Sequence, residues 1–243
     1  MDVSQRTTTI AGLAMIALVI LTIVVFALTV SSMGEKDPFQ RDEVPEFLAD
    51  LEDNADILQA GNAIGIINDA FISLLVGAAL YILFRDRNPL LATVALIGIA
   101  ITSAISLVVD VTNIMLVEVA KDYVRGGAEG VPAGDASTLE LGRYLGMLTT
   151  ASFVLIGTPL GVAIMAIGAL LAGAPQGLIN PPKWIGWIAI VSGACAELSW
   201  LVVASGVFFV FLPIAGILSL IFLLALGIWL LRHSDLQPAP MKA

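Results

Sequence analysis

Six times the sequence runs for about twenty residues or more with scarcely a charge, at 10–30, 61–84, 90–117, 144–171, 184–203 and 208–231. Twenty apolar residues wound into a helix reach across the hydrocarbon of a bilayer, about 30 Å. A helix also satisfies its backbone polar groups internally, which lipid requires of any spanning segment. The expected fold is therefore all-α. It is a polytopic membrane bundle of six transmembrane helices, forming a single membrane domain over 1–243. Composition leaves little room for another class. Apolar residues make up 58% and charged residues 13%, against roughly 45–50% and 25% in soluble domains. A net charge of −9 argues against nucleic acid as a partner, since its binders need basic surface. Cys195 and His233 are single occurrences. They exclude a disulfide framework and fall short of the roughly four ligands of a structural zinc site. No cofactor and no metal are expected, and the lone histidine makes haem ligation an unattractive reading.

The first stretch is longer than the roughly 7–15-residue apolar core of a secretory signal, and no Ala-x-Ala site follows it. It reads as an uncleaved anchor. Orientation follows from cations in short connections, which stay in the cytoplasm. Arg6, Arg85, Arg87, Lys183, Arg232 and Lys242 fall on one side if there are six spans with both termini inside. The other side receives the long loops 31–60 and 118–143, with Lys36, Arg41, Lys121, Arg125 and Arg143. The expected location is the inner (plasma) membrane, multi-pass, with both termini cytoplasmic. Aromatics agree with an interfacial belt. Trp184, Trp187, Trp229, Tyr81 and Phe84 lie toward the cytoplasmic ends, and Tyr144 and Trp200 toward the outer face.

The first outer loop is acidic, with nine carboxylates and two cations from Glu35 to Asp56. Within it Val44, Phe47, Leu48, Leu51, Ala55 and Leu58 recur at helical spacing, and Pro45 suits a first helical position. A short amphipathic helix is expected there, with Glu46, Asp50, Glu52 and Asp53 on the opposite, solvated face. That face is also the place where membrane-protein partners could dock. The spacing is not that of an EF-hand, so calcium is not indicated. The glycine-rich run 125–135 lacks the strand and the Gly-Lys-Ser/Thr of a phosphate loop and reads as a plain connection. Gly157 and Gly161, four apart, invite close approach of another helix, and Pro159 between them removes a backbone donor. Gly61 and Gly65 repeat the spacing.

Polar residues inside the spans are expensive and usually face the bundle interior. Span two carries Asn62, Asp69 and Ser73, and span three carries Thr102, Ser106, Asp110 and Asn113. Each set is spaced along one helical face, and Gly65 shares the stripe of the first. Span five has Ser192, Glu197 and Ser199, while span four opens with Arg143 and Tyr144, followed by Thr149, Thr150 and Ser152. At a 1.5 Å rise, Asp69 lies about 12 Å inside the outer end of its span, Asp110 roughly 30 Å from its inner end, and Glu197 about 20 Å from Trp184. Three acids and Arg143 thus gather in the outer half. One reading is a buried structural network in which Arg143 pairs with carboxylates. The other is an outward-facing site for a cation, an amine or a polar headgroup. An intramembrane hydrolase lacks any motif fixing Asp69 and Asp110 as a dyad, and Cys195 has no neighbouring base in sequence, so no enzyme activity is expected.

Two segments carry a resemblance. One is Asn68-Asp-Ala-Phe-Ile-Ser-Leu-Leu-Val-Gly-Ala-Ala-Leu-Tyr-Ile-Leu-Phe84 with the following Arg-Asp-Arg-Asn-Pro-Leu-Leu91. The other is Pro182-Lys-Trp-Ile-Gly-Trp-Ile-Ala-Ile-Val-Ser-Gly193. The chain resembles a bacterial family of six-span membrane proteins catalogued only as a domain of unknown function. The likeness rests on an aspartate in span two, an Ala-Leu-Tyr near its end and a Pro-x-Trp-x-Gly-Trp before span five. It covers about 10–231. The acidic segment 44–58 and the glycine-rich second loop depart from the pattern. The resemblance implies six spans and a bacterial membrane, and supplies no activity. The leading expectation is a carrier-like membrane protein whose polar site uses Asn62, Asp69, Asp110, Asn113, Arg143, Tyr144 and Glu197. The alternative is an accessory or assembly subunit of a larger membrane complex.

Overall fold

The structure is a computed structural model that describes residues 3–32, 39–126, 132–173, 180–199, 201 and 210–233. Lys36, Trp200, Lys242 and the stretches 127–131, 202–203 and 208–209 lie outside the described residues. Among the described residues every regular element is helical. The order is α1 (Val3–Ser32), α2 (Val44–Asp53), α3 (Ala55–Ile67), a π-turn (Asn68–Ile72), α4 (Ser73–Phe84), α5 (Pro89–Arg125), α6 (Ala136–Ala172), α7 (Lys183–Ser199) and α8 (Phe211–Arg232). Among the described residues, five helical stretches are long and apolar enough to cross a membrane: Gln5–Thr29, Ala55–Phe84, Pro89–Arg125, Ala136–Ala172 and Phe211–Arg232. The expected span 184–203 corresponds to α7, which is described for 17 residues.

The expected outer segment 118–143 is largely helical rather than a loop. α5 continues to Arg125 and α6 already starts at Ala136, each with 37 residues. That is about 55 Å of helix, well beyond the roughly 30 Å of hydrocarbon. The continuation has a physical reason, because Val117 and Ala120 are buried against α2 and the helix thus keeps a packed face past its span. Gly126 ends α5 with a φ of +82°, a left-handed cap that glycine adopts without a Cβ clash. Asp135 starts α6. Its Oδ2 accepts hydrogen bonds from the Ser137 hydroxyl, the Ser137 N–H (2.9 Å) and the Thr138 N–H (3.3 Å). Those bonds, the Ser137 hydroxyl foremost, hold its carboxyl below the usual aspartate range.

The expected amphipathic helix is present, but it stops at Asn54, where the backbone turns before α3 begins. Asn54 closes the first helix by donating its amide nitrogens, backbone and side chain, to the Asp50 carbonyl. The predicted apolar set Val44, Phe47, Leu48, Leu51, Ala55 and Leu58 is buried throughout.

In the span formed by α3 and α4, the buried positions 58, 61, 62 and 65 recur 18 residues later, which is about five turns at 3.6 residues each, at 76, 79, 80 and 83. Phe71 and Leu75 are exposed, whereas Val76, Leu80 and Phe84 are buried. The π-turn Asn68–Ile72 lies between the two sets.

The chain divides into two compact units. The first comprises Met1–Ile20, Asp69–Ala104 and Val154–Ala243. Its core holds Met15, Leu80, Phe84, Ile167, Ile185, Phe222, Leu226 and Leu230. Its helices meet at glycines. A Cβ on Gly193 of α7 would lie 2.5 Å from the Gly161 carbonyl oxygen of α6, and one on Gly168 would lie 2.7 Å from the Gly186 carbonyl oxygen. α1 and α8 cross in the same way at Gly12 and Gly227. α6 runs unbroken through Pro159, with the Pro159 carbonyl beside Gly98 of α5.

The second unit comprises Leu21–Asn68 and Ile105–Phe153. Its apolar part is the face of α2 and early α3 packed on Leu116, Val117 and Ala120, with Tyr123, Leu139 and Leu145 at the margin. Leu48 fills the space left by Gly142, where a Cβ would meet it at 2.8 Å. Ion pairs surround this cluster. Arg41 reaches Glu140 at 2.7 Å, and Arg125 pairs with Glu52. The Glu52 side chain is only 10% exposed, so it does not belong to the solvated acidic face on which the sequence pattern puts it. Glu118 accepts from Gln59 (2.7 Å) and Lys121 (2.9 Å).

Candidate functional site

The polar residues of the second unit come together where α3 and α5 run antiparallel. Asn62 faces Asn113, and three residues further along α3, Gly65 faces Asp110, which lies three residues back on α5. Helical residues three apart share a face, so two polar positions on α5 oppose one polar and one bare position on α3. The bare position matters. A Cβ on Gly65 would sit 2.7 Å from Asp110 Oδ1 and 3.2 Å from the other two carboxyl atoms. Glycine is what lets the Asp110 carboxyl lie against the α3 backbone.

The hydrogen bonds form a short relay across three helices. Thr149 Oγ1 of α6 donates to Asn113 Oδ1 at 3.0 Å, and Asn113 Nδ2 donates to Asn62 Oδ1 at 3.4 Å. Asn62, Asp110, Asn113 and Thr149 are each no more than 7% exposed. Asn62 Nδ2 is buried and has no hydrogen-bond partner. A buried donor without an acceptor costs about 1–3 kcal/mol. A nearby link, Asn68 Nδ2 to Thr22 Oγ1 at 3.1 Å, ties α1 to the end of α3. Ser106 and Ser152 are also buried. They are one helical turn from Asp110 and Thr149.

Of the seven residues expected to line a polar site, Asn62, Asp110 and Asn113 meet here. Arg143 belongs to the same unit. Its Nη1 lies 3.5 Å from Glu140, which also holds Arg41, and its Nε is buried without a hydrogen-bond partner. Tyr144, expected as a hydrogen-bonding wall, is 64% exposed.

Asp69 and Glu197 belong to the first unit. Glu197 Oε1 is buried and lies 2.8 Å from where a Cβ on Gly161 would be, so this acid occupies a notch at the α6–α7 crossing. Close by in sequence, Ser192 Oγ donates to the Ala215 carbonyl at 3.0 Å and contacts Ser219 Oγ at 2.7 Å.

Thr149 and Asn68 were not among the expected site residues. Thr149 stands among three small hydroxyl residues of one span, and only the α5 partner distinguishes it from Thr150, which bonds its own helix at the Gly146 carbonyl. Asn68 precedes the more conspicuous Asp69 and is the buried one of the two. Among the described residues, no three His, Cys, Asp or Glu side chains converge as metal ligands would.

A family model described as Domain of unknown function (DUF4386) matches residues 10–233. No curated protein and no solved structure matches the chain.

Proposed function

The chain belongs to this family, and we propose that it is a carrier-like protein of the bacterial inner membrane. It has six spans and both termini in the cytoplasm, and it binds a small polar solute or ion at Asn62, Asp110, Asn113 and Thr149. The apolar helices support a membrane protein. Arg85, Arg87, Lys183 and Arg232, in or beside short connections, support the orientation. A single observation carries the site. A carboxyl set against Gly65, and two carboxamides and a hydroxyl linked by hydrogen bonds, are all buried on three helices, and one amide donor is left unused. Burying such groups in a membrane bundle is costly, and a ligand that completes their hydrogen bonding returns part of that cost.

Access can be measured with a cysteine at Ser152, one turn from Thr149, in a Cys195→Ala background. A membrane-impermeant, hydrophilic thiol reagent added from the side of the acidic segment is expected to label Ser152→Cys. If the thiol stays inert from both sides while the protein remains folded, the cluster is sealed and the binding role is lost.

A further inference from the structure

We propose that Glu197 is a proton-binding site: a carboxylic acid that keeps its proton at neutral pH inside the crossing of α6 and α7. The site is separate from the polar cluster of the second unit and rests only on the reading of α7 as a span. From Lys183, where α7 starts, to Glu197 the helix rises about 21 Å. Trp184 and Trp187 mark the interfacial end, so the carboxyl lies within the depth of the hydrocarbon, about 30 Å.

Its surroundings are small and apolar. The place where a Cβ of Gly161 would stand is 2.8 Å from Glu197 Oε1, 3.0 Å from the Gly193 carbonyl oxygen and 3.1 Å from Ala196 Cβ. The side chain thus folds back over the preceding turn of α7, as helical side chains do, into the gap left by the missing Cβ on α6. The part of α6 in this unit, 154–172, carries no titratable residue. α8 carries only Arg232, in its last turn. α7 itself adds Lys183 and Cys195, the latter packed with Ala215 and Phe211 of α8.

These neighbours decide the form of the acid. A carboxylate stays ionised in a protein interior when a cation stands beside it or when it accepts two or three hydrogen bonds. Among the described residues no lysine or arginine pairs with Glu197. The donor that faces it is the Val162 N–H of α6, and Oε1, itself buried, has no hydrogen-bond partner. A charge left unbalanced in such a place is neutralised rather than kept. A proton is the cation that needs no cavity. It bonds to one carboxyl oxygen, and the other still faces the Val162 N–H. The rest of the side chain is only partly buried and lies next to the exposed Leu198, so the acid is open to exchange from the lipid side.

The test uses the full-length protein in nanodiscs. Infrared spectra of the parent protein and of Glu197→Gln are subtracted at neutral pH. The parent is expected to show a protonated-carboxyl C=O band that the variant loses, and alkali should convert that band to carboxylate bands. A Glu197→Gln protein that fails to fold overturns the proposal, since glutamine copies the shape and neutrality of the acid. Two carbodiimides separate the proton from the span. The apolar dicyclohexylcarbodiimide is expected to modify Glu197: the acid O–H adds across a C=N bond, and nothing leaves. A water-soluble carbodiimide should modify the exposed Asp53 of α2 and spare Glu197. Carboxylate bands at neutral pH, with Glu197 inert to both reagents, overturn the proton and leave the span standing. Modification of Glu197 by the water-soluble reagent puts α7 in water and removes the span and the proposal together.

Discussion

The two units of this molecule use the same two kinds of helix contact in different proportion, with more backbone-close glycine crossings in the first and more side-chain hydrogen bonds and ion pairs in the second. In the first, helices meet through bare glycines at Gly161–Gly193, Gly168–Gly186 and Gly12–Gly227, around a core of Leu, Ile, Phe and Met. In the second, Asn62, Asn113 and Thr149 bond across helices, and Arg41, Arg125 and Arg143 tie acids on α2 and α6. Lipid explains the first strategy. Between helices surrounded by hydrocarbon there is little hydrophobic gain, so close backbone packing must supply the attraction. Polar links are directional and reversible, and they are what a region that binds or rearranges can use.

The largest effect should come from filling a glycine contact in the first unit. Gly193→Val meets a backbone carbonyl and Met165, neither of which can swing aside cheaply. We expect a loss at or beyond the upper end of the ~1–3 kcal/mol of ordinary overpacking, seen as little monodisperse protein on size exclusion. If Gly193→Val unfolds like the parent protein, close packing does not hold that unit. A smaller loss, about 1–3 kcal/mol, is expected for Asn113→Ala, which orphans groups on both Asn62 and Thr149. Combining it with Asn62→Ala should cost less than the sum of the two in a double-mutant cycle. Strict additivity would deny the relay.

Glu52→Gln, on the ion pair with Arg125, is expected to cost roughly 0.5–1 kcal/mol and to matter less as salt rises. A salt-independent loss would mean that burial rather than charge is the contribution. The smallest effect concerns pH. Hydrogen bonding holds the Asp135 carboxyl below its unfolded value, near 3.9. The stabilisation is thus complete above that value and fades as the pH falls through the folded one. Asp135→Ala should loosen the start of α6 at neutral pH and remove this acid dependence. Hydrogen exchange at Ser137 and Thr138 would report both.

Several features were legible because they depend on local pattern alone. The apolar set from Val44 to Leu58 was readable as a helical stripe, since 3.6-residue spacing is a property of the chain. The pairing of Gly157 and Gly161 marked a close helix contact, and Gly161 does meet α7. The polar faces of α3 and α5 were readable for the same reason, and so was the burial of Asn62, Asp110 and Asn113. Glu52 was not legible. Its place on the helix suggests solvent, and only the position of Arg125, 73 residues later, turns it into a partner. The break at Asn54 and the π-turn at Asn68–Ile72 were also hidden, because the apolar pattern keeps its helical phase through both.

The sequence by itself determined a helical membrane protein, the stripes along its helices and the acids that cannot face lipid, because hydropathy and helical period act within a single segment. Tertiary structure alone decided that Asn62 meets Asn113, that Thr149 rather than Thr150 joins them, and that Gly65 makes way for the Asp110 carboxyl. Those outcomes depend on which helix lies opposite and at what register, and no spacing within one helix encodes the register of its neighbour.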